Sequence, residues 1–437
     1  MSGVFDALLS EIATVAQKVR MGRVTEIGRG TVIVRGLQDV ACLGDRVVIG
    51  AKLGGEVVAL RSDAITVLTD QMAEGLAMGA LVRLIGQAGI SPDNSWIGRV
   101  IDPFGNPLDG RVIFKGPRMR SLLAAAPAAA TRRRLGERLQ TGVAVFDTLL
   151  PVVRGQRIGL FAGSGVGKST LLGKFARGVT ADVVVVALIG ERGRELREFI
   201  ERVLGPEGMR RAVVVTATSD QSALVRRRCA WAAMAVAEHF RDQGLHVLLL
   251  ADSVTRFAEA HREVALAGGE EASLRGYPAS VAPALMAWAE RAGPGPENSG
   301  DITAVFTVLV AGSDMEETIA DILRGVLDGH VVMDRKIAER GRYPAIDLLR
   351  SVSRSLPEAA TADENADIAH ARRLLGAYDR AELMIQAGLY TKGSDPLIDN
   401  AIRVWPALDG FLGEDAPEDG IAGSFRRLAA ALARRSA

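Results

Sequence analysis

Residues 162–170 read Ala-Gly-Ser-Gly-Val-Gly-Lys-Ser-Thr. The run fits the phosphate-cradling pattern GxxxxGK[ST] at every position but the first, where Ala162 stands for glycine. Gly163, Gly165 and Gly167 let successive backbone N–H groups turn toward one anion. Lys168 can reach β- and γ-phosphates, and the Ser169 hydroxyl can ligate Mg²⁺. Gly163, Ser164, Gly165, Val166, Gly167, Lys168, Ser169 and Thr170 are therefore expected to hold a nucleotide. Ala162 is tolerable if its φ is negative. An apolar run at 157–161 precedes the motif and a helical pattern at 169–177 follows it. That strand–loop–helix context separates a working cradle from a glycine-rich turn.

A cradle alone does not hydrolyse a phosphoanhydride. The reaction also needs a second carboxylate on the metal shell, a group that orients water, and positive charge for the transition state. The apolar run 246–251 ends in Asp252, the strand-terminal acid expected to hold Mg²⁺ through water. The run 183–189 leads through Gly190 to Glu191, at the carboxyl edge where open α/β sheets bind ligands. Glu191 is the candidate base. On chemistry alone a helix-N-terminal acid, sharing that role with Glu195 and Glu198, is an equal alternative.

These side chains need a scaffold, and the chain provides three kinds of pattern. Residues 4–19 place apolar side chains at spacings of three and four, an amphipathic helix that either packs back or docks a partner. From residue 22 to about 70, short Val-, Ile- and Thr-rich runs broken by glycine and Asp predict a small β-barrel or sandwich. Residues 80–115 continue in strand-and-turn fashion, and 117–134 read as a surface connection. After Gly155, near-continuous apolar runs at 157–161, 183–189, 213–218, 246–251 and 302–310 predict strands covered on both faces. From about 362 the pattern is helical, clearest at 366–385. The expected division is a docking helix at 1–20, a barrel at 21–90, an ATP-binding domain with its leading connector at 91–361 and a helical domain at 362–437.

The chain's 437 residues exceed what one core covers, which agrees with several domains. A net charge of +1 with 5% aromatic residues gives no electrostatic or stacking footprint for RNA, so no nucleic-acid partner is expected. Only Cys42 and Cys229 occur, which excludes a disulfide framework and suits a reducing compartment. No apolar run approaches the ~20 residues of a membrane span. The N-terminal stretch carries Asp6 and Glu11 and no basic leader, so a cytoplasmic protein is expected.

The P-loop, GERGRELREF at 190–199, DSVTRF at 252–257, RGYP at 275–278, YPAID at 343–347 and SVSR at 351–354 together resemble the rotary ATPase superfamily. Within it they are most similar to the flagellum-specific ATPase of the type III protein-export apparatus. The resemblance implies a barrel crown, a RecA-like α/β domain with a mainly parallel sheet and a C-terminal helical domain. It implies that Glu191 polarises the attacking water, that Arg192 lies near the γ-phosphate, and that Tyr343 stacks on adenine. Arg354 matches the arginine finger given to a neighbouring subunit's nucleotide. One chain with both Glu191 and that finger suits a homohexamer, with ATP and Mg²⁺ as ligands. The implied partners are a stator-like regulator at residues 1–20, a central stalk protein, export-gate membrane proteins and chaperone–substrate complexes. The implied location is cytoplasmic, peripheral at the inner face of the membrane beneath the export gate. An injectisome ATPase shares every one of these residues, and a hexameric RNA-translocating ATPase is the more distant alternative. Two segments depart from the usual pattern: 268–276 lacks a proline pair, and Asp314-Met315-Glu316-Glu317 replaces a more variable acidic stretch.

Overall fold

The computed structural model describes residues 19–28, 30–273, 276–310 and 315–433. Apart from Val19, the amphipathic helix expected at 4–19 lies outside the described residues.

The first module is a closed antiparallel barrel. Its strands are β1 (Met21–Ile27), β2 (Thr31–Arg35), β3 (Arg46–Ile49), β4 (Leu53–Leu60), β5 (Ile65–Thr69) and β6 (Leu81–Gly86), in the order β1-β2-β5-β4-β3-β6. Val32 and Val34 on β2, Val47 and Ile49 on β3, and Ile65 and Val67 on β5 recur at period two and fill the lumen. β6 falls in the stretch read as strand and turn, inside the barrel limits expected at 21–90, and it closes the barrel by pairing both β1 and β3. The barrel is fastened to the body by a buried ion pair between Glu56 and Arg227 and by Val58 and Leu68 packing on Leu224 and Val264.

The central sheet contains β7 (Arg99–Ile101), β8 (Arg157–Ala162), β9 (Val183–Glu191), β10 (Ala212–Thr218), β11 (His246–Asp252), β12 (Asp301–Leu309), β13 (Gly329–Met333) and β14 (Ile346–Ser353). They lie in the order β14-β13-β8-β12-β11-β9-β10-β7, with Gly293–Pro294 paired beside β12. All are parallel except β14 and that short segment. β9 shows why this sheet reads as an unbroken apolar run. Val184, Val186 and Leu188 join the core on one face, and Val183, Val185, Ala187 and Ile189 the core on the other.

The connecting helices are α1 (Lys168–Gly178), α2 (Gly193–Glu198), α3 (Ala223–Arg241), α4 (Val254–Ala267), α5 (Val281–Glu290) and α6 (Thr318–Val326). α1 covers the first face through Leu171, Leu172 and Phe175. α3 to α5 cover the second, with Phe257 and Trp288 at its centre. The chain ends in α7 (Ala362–Gln386), α8 (Pro396–Phe411) and α9 (Gly420–Ala433). Thr361 and Glu364 form a reciprocal capping box that starts α7, and Ile368, Leu374, Val404 and Leu408 seat these helices on the α1 face.

Candidate active site

The strand order brings β8, β12, β11 and β9 side by side, and the candidate residues stand at the carboxyl ends of three of them. Ala162 is the last residue of β8, in extended backbone that any residue adopts. Gly165 and Gly167 take φ of 78° and 86°, which a side chain would strain. Gly167 is the N-cap of α1 and no side chain caps that helix, so its first N–H groups remain for an anion. Val166 is 1% exposed and packs in the core, so it offers a ligand only its backbone.

Lys168 donates to Asp252 Oδ1, and its ammonium lies 4.0 Å from Glu191 Oε1. The Asp252 side chain is 4% exposed and also accepts a hydrogen bond of 2.7 Å from the Thr307 hydroxyl on β12. Glu191 ends β9, where the register slips between Ile189 and Glu191. Gly190 makes that slip possible: its φ is 70°, and a Cβ there would meet Arg256 Cβ at 3.3 Å. The kink turns Glu191 into the cleft beside Lys168. Burial, the charge of Asp252 and a hydrogen bond with Glu195 raise its carboxyl to about 7, with Lys168 opposing the rise. A carboxylate poised there can accept a proton near neutral pH. This geometry puts Glu191 beside Lys168 and the phosphate loop, where a base could act.

The cleft has a volume of about 1080 Å³. It is lined by the loop, including Ser164, Ser169 and Thr170, by Glu191 and Arg192, and by Thr255, Arg256, Glu259 and Tyr277. Arg192 is at its rim, and its guanidinium pairs with Glu195 at 3.6 Å. Tyr343 arrives from the loop before β14: a Cβ on Gly167 would touch its ring at 3.1 Å, and the residue is half exposed. Its ring thus borders the phosphate loop with a free face. Sequence reasoning gave Glu195 only the part of a helix-N-terminal acid and assigned no role to Arg256 or Thr307. The one signal for Thr307 was a hydroxyl inside the apolar run 302–310.

Arg354 is not in this cleft. It follows β14, which runs antiparallel, so it returns to the edge where β8 begins. Its N–H donates to Asp328 O at 3.0 Å, and Asp328 N–H donates to Arg157 O at 2.8 Å. Five residues of strand separate Arg157 from Ala162, roughly 17 Å at ~3.3 Å each. The Arg354 side chain is exposed and donates to Arg324 O at 3.0 Å.

Among the described residues no cluster of three or more His, Cys, Asp or Glu could hold a metal. A divalent cation at Ser169 and Asp252 would therefore need a ligand's phosphates to complete its shell, as hard oxygen-seeking cations commonly do.

The profile of the ATP synthase alpha/beta family, nucleotide-binding domain, matches residues 142–353, and that of the T3SS EscN ATPase C-terminal domain matches 360–430. A flagellum-specific ATP synthase of Caulobacter vibrioides is 45% identical over 423 residues, 94% of this chain and 95% of its own length. A type 3 secretion system ATPase of Xanthomonas euvesicatoria is 42% identical over 412 residues, 92% of both chains. The assembled ATPase EscN in complex with its central stalk EscO, from the enteropathogenic E. coli type III secretion system, superposes with a TM-score of 0.86 at 37% identity. That match covers 94% of this chain and 100% of EscN. With a barrel, a parallel-rich nucleotide domain and terminal helices in the same order, the chain belongs to the ATP synthase alpha/beta family, in its branch of flagellar and type III secretion ATPases, and is an ATP-hydrolysing enzyme.

Proposed function

We propose that this chain hydrolyses Mg-ATP as a ring of six identical copies and that the cycle energises export of flagellar proteins through a type III secretion apparatus. The observation that carries the catalytic part is the placement of Glu191, raised to about 7, at 4.0 Å from Lys168 and beside the phosphate loop. In this reading the loop N–H groups and Lys168 hold the polyphosphate, and Glu191 takes the proton of the attacking water. Arg192 at the rim is free to swing from Glu195 toward the γ-phosphate, and the Tyr343 ring offers its exposed face to adenine. Mg²⁺ bound to the phosphates, Ser169 and water on Asp252 would neutralise charge on the oxygens. Arg354, at the opposite edge of the sheet, is suited to a neighbour's nucleotide and not to its own, which supports a ring with shared sites.

Likeness to the Caulobacter protein supports the flagellar pathway, and the EscN–EscO complex supports a central stalk partner for the C-terminal helices. The proposal extends to the regulator of residues 1–20, the chaperone–substrate complexes, the export gate and a place against the inner face of the membrane. Among the described residues no helix is long and apolar enough to cross a membrane. The domain limits proposed remain 1–20, 21–90, 91–361 and 362–437. Likeness to the Xanthomonas protein keeps one second reading, an injectisome ATPase. Chromosomal Lys168→Ala in the source cell tests the pathway: loss of external filaments is the expected result, and normal filaments with a defect in secreted effectors would move the protein to the injectisome.

A further inference from the structure

Thr307 is fully buried on β12, the strand that separates the phosphate-loop strand β8 from the Asp252 strand β11. Phe306 pairs with Ala251, so the next residue on each strand, Thr307 and Asp252, stand level with each other. Leu160 is the partner of Thr307 on the other side. Neighbouring residues of parallel strands at one level share a face. The Thr307 hydroxyl therefore reaches Asp252, donating to Oδ1 at 2.7 Å. On that face the surroundings are otherwise apolar: Val305, Leu160 and Leu250 belong to the same core. A buried hydroxyl in such a place destabilises the fold unless it has a partner, so a valine would have fitted this strand more simply.

The same Oδ1 also accepts from Lys168. Under the proposed function Lys168 must leave Asp252 to reach the phosphates. The buried carboxylate then loses its ammonium partner, and the Thr307 hydroxyl, fully buried on an inner strand, remains within reach of it.

We propose that Thr307 is a positioning residue that holds Asp252 by Oδ1 while Lys168 passes from Asp252 to the phosphates, keeping the carboxylate aimed at the Mg²⁺ shell. The proposal rests on the Mg-ATP reading of the site. The structure puts Lys168 and Thr307 on one oxygen of Asp252, and the proposal leaves the hydroxyl there when the ammonium turns to the phosphates.

The test is a double-mutant cycle read by binding of mant-ADP in saturating Mg²⁺. Thr307→Val keeps the volume and removes the donor, and Thr307→Ser keeps the donor. Loss of a hydrogen bond to a buried charged group should weaken mant-ADP by about tenfold or more in Thr307→Val, while Thr307→Ser stays close to the unaltered protein. In an Asp252→Asn background, Thr307→Val should cost almost nothing further, because the two residues act as one unit. The Mg²⁺ concentration for half-maximal hydrolysis should rise in Thr307→Val, whereas a packing defect lowers the rate at every concentration without moving that midpoint. Undiminished binding in Thr307→Val, the same loss in the Asp252→Asn background, or a fixed Mg²⁺ midpoint overturns the assignment. If the unaltered protein itself binds mant-ADP no better with Mg²⁺ than without it, the Mg-ATP reading falls instead.

Discussion

Two variants that are each inactive should regain activity when mixed. Glu191→Gln removes the proposed base, expected to cost about 10²–10⁴ in rate, and Arg354→Ala removes the proposed finger, worth about 10³–10⁵. The structure says how they combine. Arg354 is held level with Arg157 through Asp328, roughly 17 Å of strand from Ala162, and an arginine side chain spans only about 7 Å. It cannot serve the cleft of its own copy without refolding β14. In rings built from equal amounts of both variants, a site is complete when a copy that retains Glu191 meets a neighbour that retains Arg354. For random mixing each condition holds at half of the positions, so about a quarter of interfaces are competent in a head-to-tail ring. Steady-state phosphate release by the mixture should therefore rise from below about one per cent to as much as about a quarter of the unaltered rate. Rings that need every site in turn would give less. Co-purification through a tag on one variant establishes that the copies mix. If they mix and the rate stays at the mean of the two single variants, Arg354 does not act across the interface, and the argument from its position on the sheet is wrong.

Tyr343→Ala should weaken ATP binding by roughly tenfold, and Tyr343→Phe should leave it nearly unchanged, since a stacked base contributes about 1–3 kcal/mol and needs only the ring; competition against mant-ADP reads both. Glu238→Gln should lower stability by roughly 3 kcal/mol in urea unfolding, because Arg291 is left charged and buried. The Arg291–Glu238 pair is bidentate at 2.8 and 2.7 Å with side chains 3% and 5% exposed. Acid should act through His261, whose ring is lowered to about 4 by burial and then by Arg227. Its folded value lies below the ordinary 6.5, so the unfolded chain binds the extra proton and stability is lost as pH falls from about 6.5 toward 4. His261→Gln should flatten the fall in Tm over that window, and an equal fall in both proteins would exclude His261 as the cause.

Sequence reading succeeded where chemistry and spacing are contiguous. The phosphate loop is nine successive residues between a strand and a helix, and β9 and β11 announce themselves as apolar runs with an acid at the end. It was weak where burial is one-sided or short. β14 alternates irregularly between buried and exposed positions, as an antiparallel edge strand does, and β7 has three residues, too few for any period. β6 is half exposed and carries Arg83 on its open face, so its apolar pattern is thin. Strand order was not legible at all. Nothing local in β12 says that it inserts between β8 and β11, and the Thr307–Asp252 contact, between residues 55 apart, exists only because it does.

The candidate site divides along the same line. Lys168, Ser169, Glu191 and Asp252 were read from their own surroundings, because each ends a strand or opens a helix at the edge where such sheets bind ligands. Tyr343 and Arg354 were named only through resemblance, since an aromatic before an edge strand and an arginine after it have no local signature of function. The fold then treats those two differently. Tyr343 returns to the loop and lies against Gly167, so one copy of the chain is enough to give it a place. Arg354 is carried by the reversal of β14 to the start of the parallel strands, where the copy that bears it has no phosphate loop. At that edge Arg354 donates to Arg324 O and could reach a nucleotide only if another copy brought its cleft there, which is why the mixing experiment bears on topology as much as on catalysis.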